Sequence, residues 1–306
     1  MNMIILMLAS LAVTSHAHNA AAAFAPSNSG VRVPDTAPAR ASSSMESVGE
    51  LRGLATKLNP VVGYWDPLDF ANLAGTEKYQ SVFSQPTKFA RWEPSGEAWR
   101  GFLRHAELKH GRVAMAAFIG YCVQANHIHF PWVSDSLAVG SPPEQWDALP
   151  TEQKLAVFAS VLLLEHLGES SDLLEQSGTK HYMRGGKPGA YPALSKVSLY
   201  DPITGRNIKG IPVDLFDPIG LQRKMTPEAK ERARLVEINN GRLAMLGIFG
   251  FMAESKVQGS VPLLSSIVKP YSGEIMAPFS QTDAGLPFVT QMLEGFPNIY
   301  EVAKVR

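Results

Sequence analysis

The chain has 306 residues with 28 Lys and Arg against 28 Asp and Glu, a zero balance that does not suit a nucleic-acid partner. A single cysteine, Cys122, excludes a disulfide framework or thiolate metal cluster and reads as a small apolar helix residue. The hydrophobic share of 45% is ordinary for one globular domain with long loops, so any membrane role must rest on local patterning.

An apolar core from Met3 to Val13, followed by small residues from Thr14 to Ala23, has the layout of a targeting signal. Residues 1–45 are therefore expected to be a leader. Residues 45–97 read as a polar, loop-rich approach containing Gly63-Tyr-Trp65-Asp66-Pro67-Leu68. That segment returns as Leu215-Phe216-Asp217-Pro218-Ile219-Gly220, and Asp-Pro marks a turn that stops helix.

The first helix is expected over Gly96–Ala125. It carries Glu107-Leu-Lys-His110-Gly-Arg112-Val-Ala-Met-Ala-Ala-Phe-Ile-Gly120. His127 and His129 point to opposite sides of an extended segment, which argues against a joint metal site. Trp132 and Trp146 suit an interfacial loop. Thr151 caps the next helix, whose apolar stretch from Leu155 to Leu164 ends in Glu165-His166-Leu-Gly-Glu169.

Residues 170–226 read as one long loop. Its Gly185-Gly-Lys187 lacks both a preceding strand and phosphate-loop spacing. Thr226-Pro227-Glu228 starts the third helix, which runs to about Val257 and carries Glu237-Ile-Asn-Asn240-Gly-Arg242-Leu-Ala-Met-Leu-Gly-Ile-Phe-Gly250. Val261–Val268 is expected as a short amphipathic helix and residues 270–306 as irregular chain. The domain then spans residues 46–280, with a C-terminal tail over 281–306.

A constant shift of 130 superposes the two long motifs, the mark of an internal repeat. Positions i and i+3 share a helix face, so Glu107 with His110 and Glu237 with Asn240 each present two possible ligands on one side. Neither apolar run reaches the roughly 20 residues that span a bilayer unless the Glu-to-Arg segment is included. Included, each charge costs about 2.5–3.5 kcal/mol unless it is paired. Two equivalent helices offer that pairing: Glu107 with Arg242, and Glu237 with Arg112. Gly111, Ala114, Ala117 and Gly120 match Gly241, Ala244, Gly247 and Gly250, a small-residue spacing that favours close crossing. The competing reading is a soluble helix pair with surface Glu and Arg around an alanine-rich core.

The paired motifs Glu-x-x-His-Gly-Arg-x-Ala-Met and Glu-x-x-Asn-Gly-Arg-Leu-Ala-Met resemble the light-harvesting chlorophyll-binding antenna family. Within it the chain is most similar to the chlorophyll a/c antennas of red-lineage algae, over about residues 60–280. The resemblance implies an all-α membrane protein with three transmembrane helices, the first and third crossed as a pseudo-twofold pair. It implies Glu107, His110, Glu237 and Asn240 as axial ligands of chlorophyll magnesium, with Arg112 and Arg242 as charge partners. It adds Glu165 on the middle helix, and Glu254 where green antennas place a Gln. Magnesium is a hard ion suited to oxygen ligands, and no independent metal site is expected.

The chain departs from the family pattern at Ala156, where red-lineage antennas commonly carry Gln, and at Asp69, where Gly is usual. The expected cofactors are chlorophyll a, chlorophyll c and a carotenoid of the fucoxanthin, peridinin or diadinoxanthin type. The leader, with Ala21-Ala-Ala-Phe24-Ala-Pro26, resembles the bipartite plastid-targeting leader of algae with complex plastids.

Loop 126–150 contains no Lys or Arg. Loop 170–226 contains Lys180, Arg184, Lys187, Lys196, Arg206, Lys209, Arg223 and Lys224. The positive-inside rule puts the second loop on the stromal side of a thylakoid membrane, with the N-terminus stromal and the C-terminus lumenal. The expected function is non-catalytic: excitation passes to a photosystem, photosystem I by resemblance, with the photosystem core, neighbouring antenna subunits and thylakoid lipids as partners. One alternative is a photoprotective, energy-dissipating relative that uses lumenal acids such as Glu144 and Asp147. Another is a di-iron carboxylate oxidase built on Glu107-x-x-His110, against which Asn240 and the two arginines argue.

Overall fold

Capping chemistry decides where the shorter helices begin. Ser47 accepts the Glu50 N–H at 3.1 Å while the Glu50 carboxylate accepts the Ser47 N–H at 2.8 Å, which starts α1, Val48–Leu58. Glu144 likewise accepts the Ser141 N–H at 2.6 Å and its hydroxyl at 2.9 Å, starting α3, Pro142–Asp147. Both lie where loops are expected from sequence. The computed structural model describes residues 47–73, 96–129, 139–201, 206–209, 217, 220, 224–273 and 283–291. The expected leader, Trp132 and most of the expected tail fall outside them.

Three long helices follow the predicted bounds: α2, Gly96–Ala125; α4, Thr151–Glu169; and α6, Pro227–Lys256. Thr226 accepts the Ala229 N–H at 3.3 Å, and Pro227 takes a first-turn position that has no intrahelical N–H to lose. The connection between α4 and α6 is more structured than a loop. It holds α5, Ser171–Gln176, and 3₁₀ turns at Tyr182–Arg184 and Leu194–Lys196. An antiparallel ribbon of β1, Ser198–Asp201, and β2, Arg206–Lys209, follows, with Ser198 opposite Lys209. The all-α expectation is amended by this one ribbon. Val261–Val268 forms successive turns instead of a helix, with Leu264 N bonded to Val261 O and Ile267 N to Leu264 O.

Among the described residues, no helix is long and apolar enough to cross a membrane. The expectation of three transmembrane helices is not met by hydropathy, because the charges leave each long helix with an apolar run too short to span. Their placement is inverted: Arg104, His105, Lys154 and Glu254 are buried, while Val113, Leu163, Leu243 and Leu246 are exposed. Leu162 is 72% and Phe249 71% exposed, the reverse of a water-facing helix surface.

The chain divides into two compact units. One contains Val113–Leu163 and the residues from Leu243; there the Phe251 ring stacks on Phe118 at 5.0 Å and on Tyr121 at 4.8 Å. Gly247 admits the Phe118 ring, since a Cβ would meet it at 2.8 Å. In the same unit the buried Lys154 Nζ and Asp283 Oδ1 lie 2.8 Å apart, and Tyr271 donates its hydroxyl to Asp147 at 2.6 Å.

The other unit contains the described residues before Val113, together with Leu164–Arg242. Asp66 accepts the Phe70 and Ala71 N–H groups at 2.9 Å each and the Tyr64 hydroxyl at 3.1 Å, which fixes the 3₁₀ turn Phe70–Asn72. Trp99 of α2 donates to the Phe70 carbonyl at 2.8 Å, joining that turn to the helix.

Candidate functional site

The site begins where two backbones meet. A Cβ on Gly111 of α2 would stand 3.0 Å from Gly241 Cα, and one on Gly241 of α6 would stand 2.9 Å from Gly111 Cα. Only glycine permits that approach, and the two glycines occupy the same place in the repeat. One residue beyond each glycine stands an arginine. Arg112 Nε donates to Glu237 Oε1 at 2.6 Å, and Arg242 Nε donates to Glu107 Oε1 at 2.7 Å. The two ion pairs are reciprocal across the crossing.

Their surroundings differ. Arg112 also donates to the Gly189 carbonyl at 2.9 Å and lies over the Tyr191 ring, with its side chain 19% exposed. Arg242 is 44% exposed, and its partner Glu107 accepts a second donor, Arg104. Glu237 Oε2 has no partner among the described residues, so a neutralised carboxylate keeps a free oxygen there.

His110 is exposed, and its Nδ1 lies 2.7 Å from the Ala106 carbonyl. A carbonyl only accepts, so Nδ1 carries the proton and Nε2 keeps an outward lone pair, the tautomer a metal ligand requires. Asn240 occupies the matching position on α6, exposed and without a side-chain partner among the described residues. Glu165 on α4 is 48% exposed and is paired through Oε2 with Lys109 of α2.

Glu254 is placed differently. It is 1% exposed, and its carboxylate accepts the Gly259 N–H at 2.8 Å and the Val261 N–H at 2.7 Å. In this arrangement Glu254 clamps the turn after α6.

A network absent from the sequence reading lies beside Glu165. Glu169 accepts Lys109 Nζ at 2.6 Å and sits 3.0 Å from His105 Nε2 and 3.1 Å from His181 Nε2. His105 Nδ1 accepts the Gly189 N–H and His181 Nδ1 the Met183 N–H, so each imidazole donates its Nε2 proton to Glu169. Burial first, then the charge of Glu169, pushes the Tyr182 phenol well above its usual range. Gly189 is therefore held by both its N–H and its carbonyl. The Gly-rich stretch that carries no phosphate motif serves to dock the connection onto α2.

In the unit containing Val113–Leu163, an apolar cavity of about 410 Å³ is lined by Ala117, Gly120, Tyr121, Trp146, Ile248 and Met252, among others. The buried Tyr121 hydroxyl on its wall has no hydrogen-bond partner among the described residues. Such a group costs free energy unless a ligand or water satisfies it.

A model described as chlorophyll A-B binding protein matches residues 50–256, the segment that holds both motifs and the crossing. The chain belongs to this family. It is 28% identical over 265 residues to a fucoxanthin-chlorophyll a-c binding protein of Trieres chinensis, covering 84% of this chain and 99% of that one. A fucoxanthin-chlorophyll a-c binding protein F of Phaeodactylum tricornutum is 25% identical over 78% of this chain and 90% of its own. One of Isochrysis galbana is 28% identical over 70% and 89%. All three relatives are described as chloroplastic.

Proposed function

We propose that this chain is a light-harvesting antenna that binds chlorophyll a, chlorophyll c and a fucoxanthin-type carotenoid and delivers excitation to a photosystem, with photosystem I as the acceptor. The observation that carries this reading is the pair of reciprocal Glu–Arg bridges around the Gly111–Gly241 contact. A carboxylate neutralised by one arginine, as Glu237 is by Arg112, remains an oxygen donor for a hard magnesium ion without leaving a net charge in apolar surroundings. Glu107, His110, Glu237, Asn240 and Glu165 would hold the chlorophylls. The pigments supply the photophysics, while the residues fix position and orientation.

The inverted exposure supports placement in a thylakoid membrane. The leucines and Phe249 on the outer faces of the long helices suit lipid tails and pigment rings, and charges buried as pairs explain why hydropathy alone marks no span. The cationic 170–226 connection faces the stroma in this arrangement, and the C-terminus faces the lumen. The cavity beside Tyr121 suits an apolar pigment end.

The dissipating alternative needs lumenal acids that protonate readily. Glu144 does the opposite, since the Ser141 N–H and hydroxyl hold its carboxyl below the usual range. A di-iron site needs carboxylates free to bridge two cations, and both Glu107 and Glu237 are taken by arginine.

Refolding the mature chain with chlorophyll a, chlorophyll c and fucoxanthin tests the proposal. The expected product retains all three pigments and shows carotenoid-to-chlorophyll transfer in its fluorescence excitation spectrum. Helical content that forms equally well without pigment, with no chlorophyll retained, would refute it.

A further inference from the structure

We propose that Lys109 is a positioning residue for a pigment site at Glu165, a role that rests on the antenna reading of Glu165 as a magnesium ligand. The first evidence is an asymmetry of the repeat. The 130-residue shift matches Glu107, Gly111 and Arg112 with identical residues in the second copy, yet it sets Lys109 against Asn239. The structure gives the reason. Glu107 and Arg112 address α6, His110 faces outward, and Lys109 addresses α4. Asn239 of the second copy is exposed, and no counterpart of α4 meets it among the described residues.

The second evidence is how the ammonium is divided. Lys109 Nζ bridges Glu165 Oε2 and Glu169 Oε1. Glu169 keeps two further donors besides Lys109, because His105 and His181 both direct N–H groups at that carboxylate. Glu165 has no other hydrogen-bond partner among the described residues, and its side chain is 48% exposed. Lys109 therefore sets the one neighbouring cation against the Glu165 carboxylate and occupies its Oε2. Glu169 and the two histidines hold the ammonium in place from behind. Like the arginines at the helix crossing, Lys109 sets a cation against a carboxylate of another helix, here as a point charge whose donors are shared between two acids. Partners behind a metal ligand typically change affinity by about 10–100-fold when removed.

The test uses the refolded pigment complex of the full mature chain, read by chlorophyll per chain and by the difference in absorption and circular dichroism. Glu165→Leu first identifies the spectral signature of its chlorophyll. If that variant keeps its full complement, the reading of Glu165 as a ligand fails, and the role of Lys109 fails with it. Lys109→Met should lose the same signature while keeping the chlorophylls at Glu107 and Glu237. Lys109→Arg should restore it. Lys109→Met combined with Glu165→Gln should recover the site, because a neutral amide oxygen needs no cation. Should Lys109→Met prevent folding, recovery of the folded complex in the double variant supports the assignment, and failure of both variants overturns it. Loss of the signature in Glu165→Leu together with full retention in Lys109→Met also overturns it, while leaving Glu165 as a ligand.

Discussion

The two copies of the repeat carry the same charges in different settings. In the first copy, Arg112 meets Glu237, the Gly189 carbonyl and the Tyr191 ring, and it is largely enclosed. In the second, Arg242 meets a glutamate that Arg104 already serves, and nearly half of its side chain is open. A pseudo-twofold in sequence thus becomes an asymmetric pair of sites. The 170–226 connection docks on one side, and the spare cation Arg104 stands on the other. Equal motifs do not imply equal energies.

Removing each arginine separately measures that difference and should produce the largest change in stability. Arg112→Leu leaves Glu237 without its cation in a mostly enclosed place, where breaking a pair from one side costs about 3–5 kcal/mol. The pigment complex should fail to form or should release chlorophyll at much lower temperature. Arg242→Leu leaves Glu107 with Arg104, and its cost should fall to about 1–3 kcal/mol. Thermal release of chlorophyll from the two refolded variants compares them directly. A milder effect from Arg112→Leu than from Arg242→Leu would reverse the proposed asymmetry.

The glycine contact should behave in the opposite way. A Cβ added to Gly111 or to Gly241 would meet the other glycine's Cα at 3.0 or 2.9 Å, so the obstacle to a methyl group is the same from either side. Gly111→Ala and Gly241→Ala should each destabilise the complex by about 1–3 kcal/mol through overpacking against backbone that cannot rotate away. Their thermal transitions should agree closely. A clear difference would show that the crossing is not symmetric even at its centre.

The long helices and the charge pairs were legible because they are periodic or repeated: Glu107, Arg112, Glu237 and Arg242 announce one another by a fixed shift. Helices α1 and α3 carry an equally readable signal in Ser47-x-x-Glu50 and Ser141-x-x-Glu144, masked by the polar, proline-bearing composition around them. Asp69 stands where the family pattern usually has glycine. It stands at φ +53°, and Gly220 three residues after Asp217 stands at φ +72°, so both copies need the left-handed conformation there. The Glu169 network was not legible. Its members come from α2, α4 and the connection, and no local spacing joins His105, Glu169 and His181. The Glu254 clamp was not legible for a related reason: the Gly259 and Val261 amides that bind it belong to the turn after α6.

The smallest expected effect concerns the turn that leads into the first copy. Burial acts to raise the Asp66 carboxyl, but the Ala71 and Phe70 N–H groups and the Tyr64 hydroxyl outweigh it and hold the group below its usual 3.8. A carboxyl depressed by folding contributes fully above its unfolded value and loses that contribution as pH falls through its folded value. Asp66→Asn should therefore cost about 1 kcal/mol at neutral pH, the scale of a lost capping bond. The gap between parent and variant should stay level from pH 7 down to about 4 and close only below that. Burial and the Asp66 bond raise the Tyr64 phenol above its usual 10.0, so mild alkali leaves this clamp intact. Denaturant midpoints of the refolded proteins between pH 7 and pH 4 provide the measurement. A gap that narrows already between pH 7 and pH 5 would mean that Asp66 titrates like an unheld carboxyl and does not anchor the turn beneath Trp99.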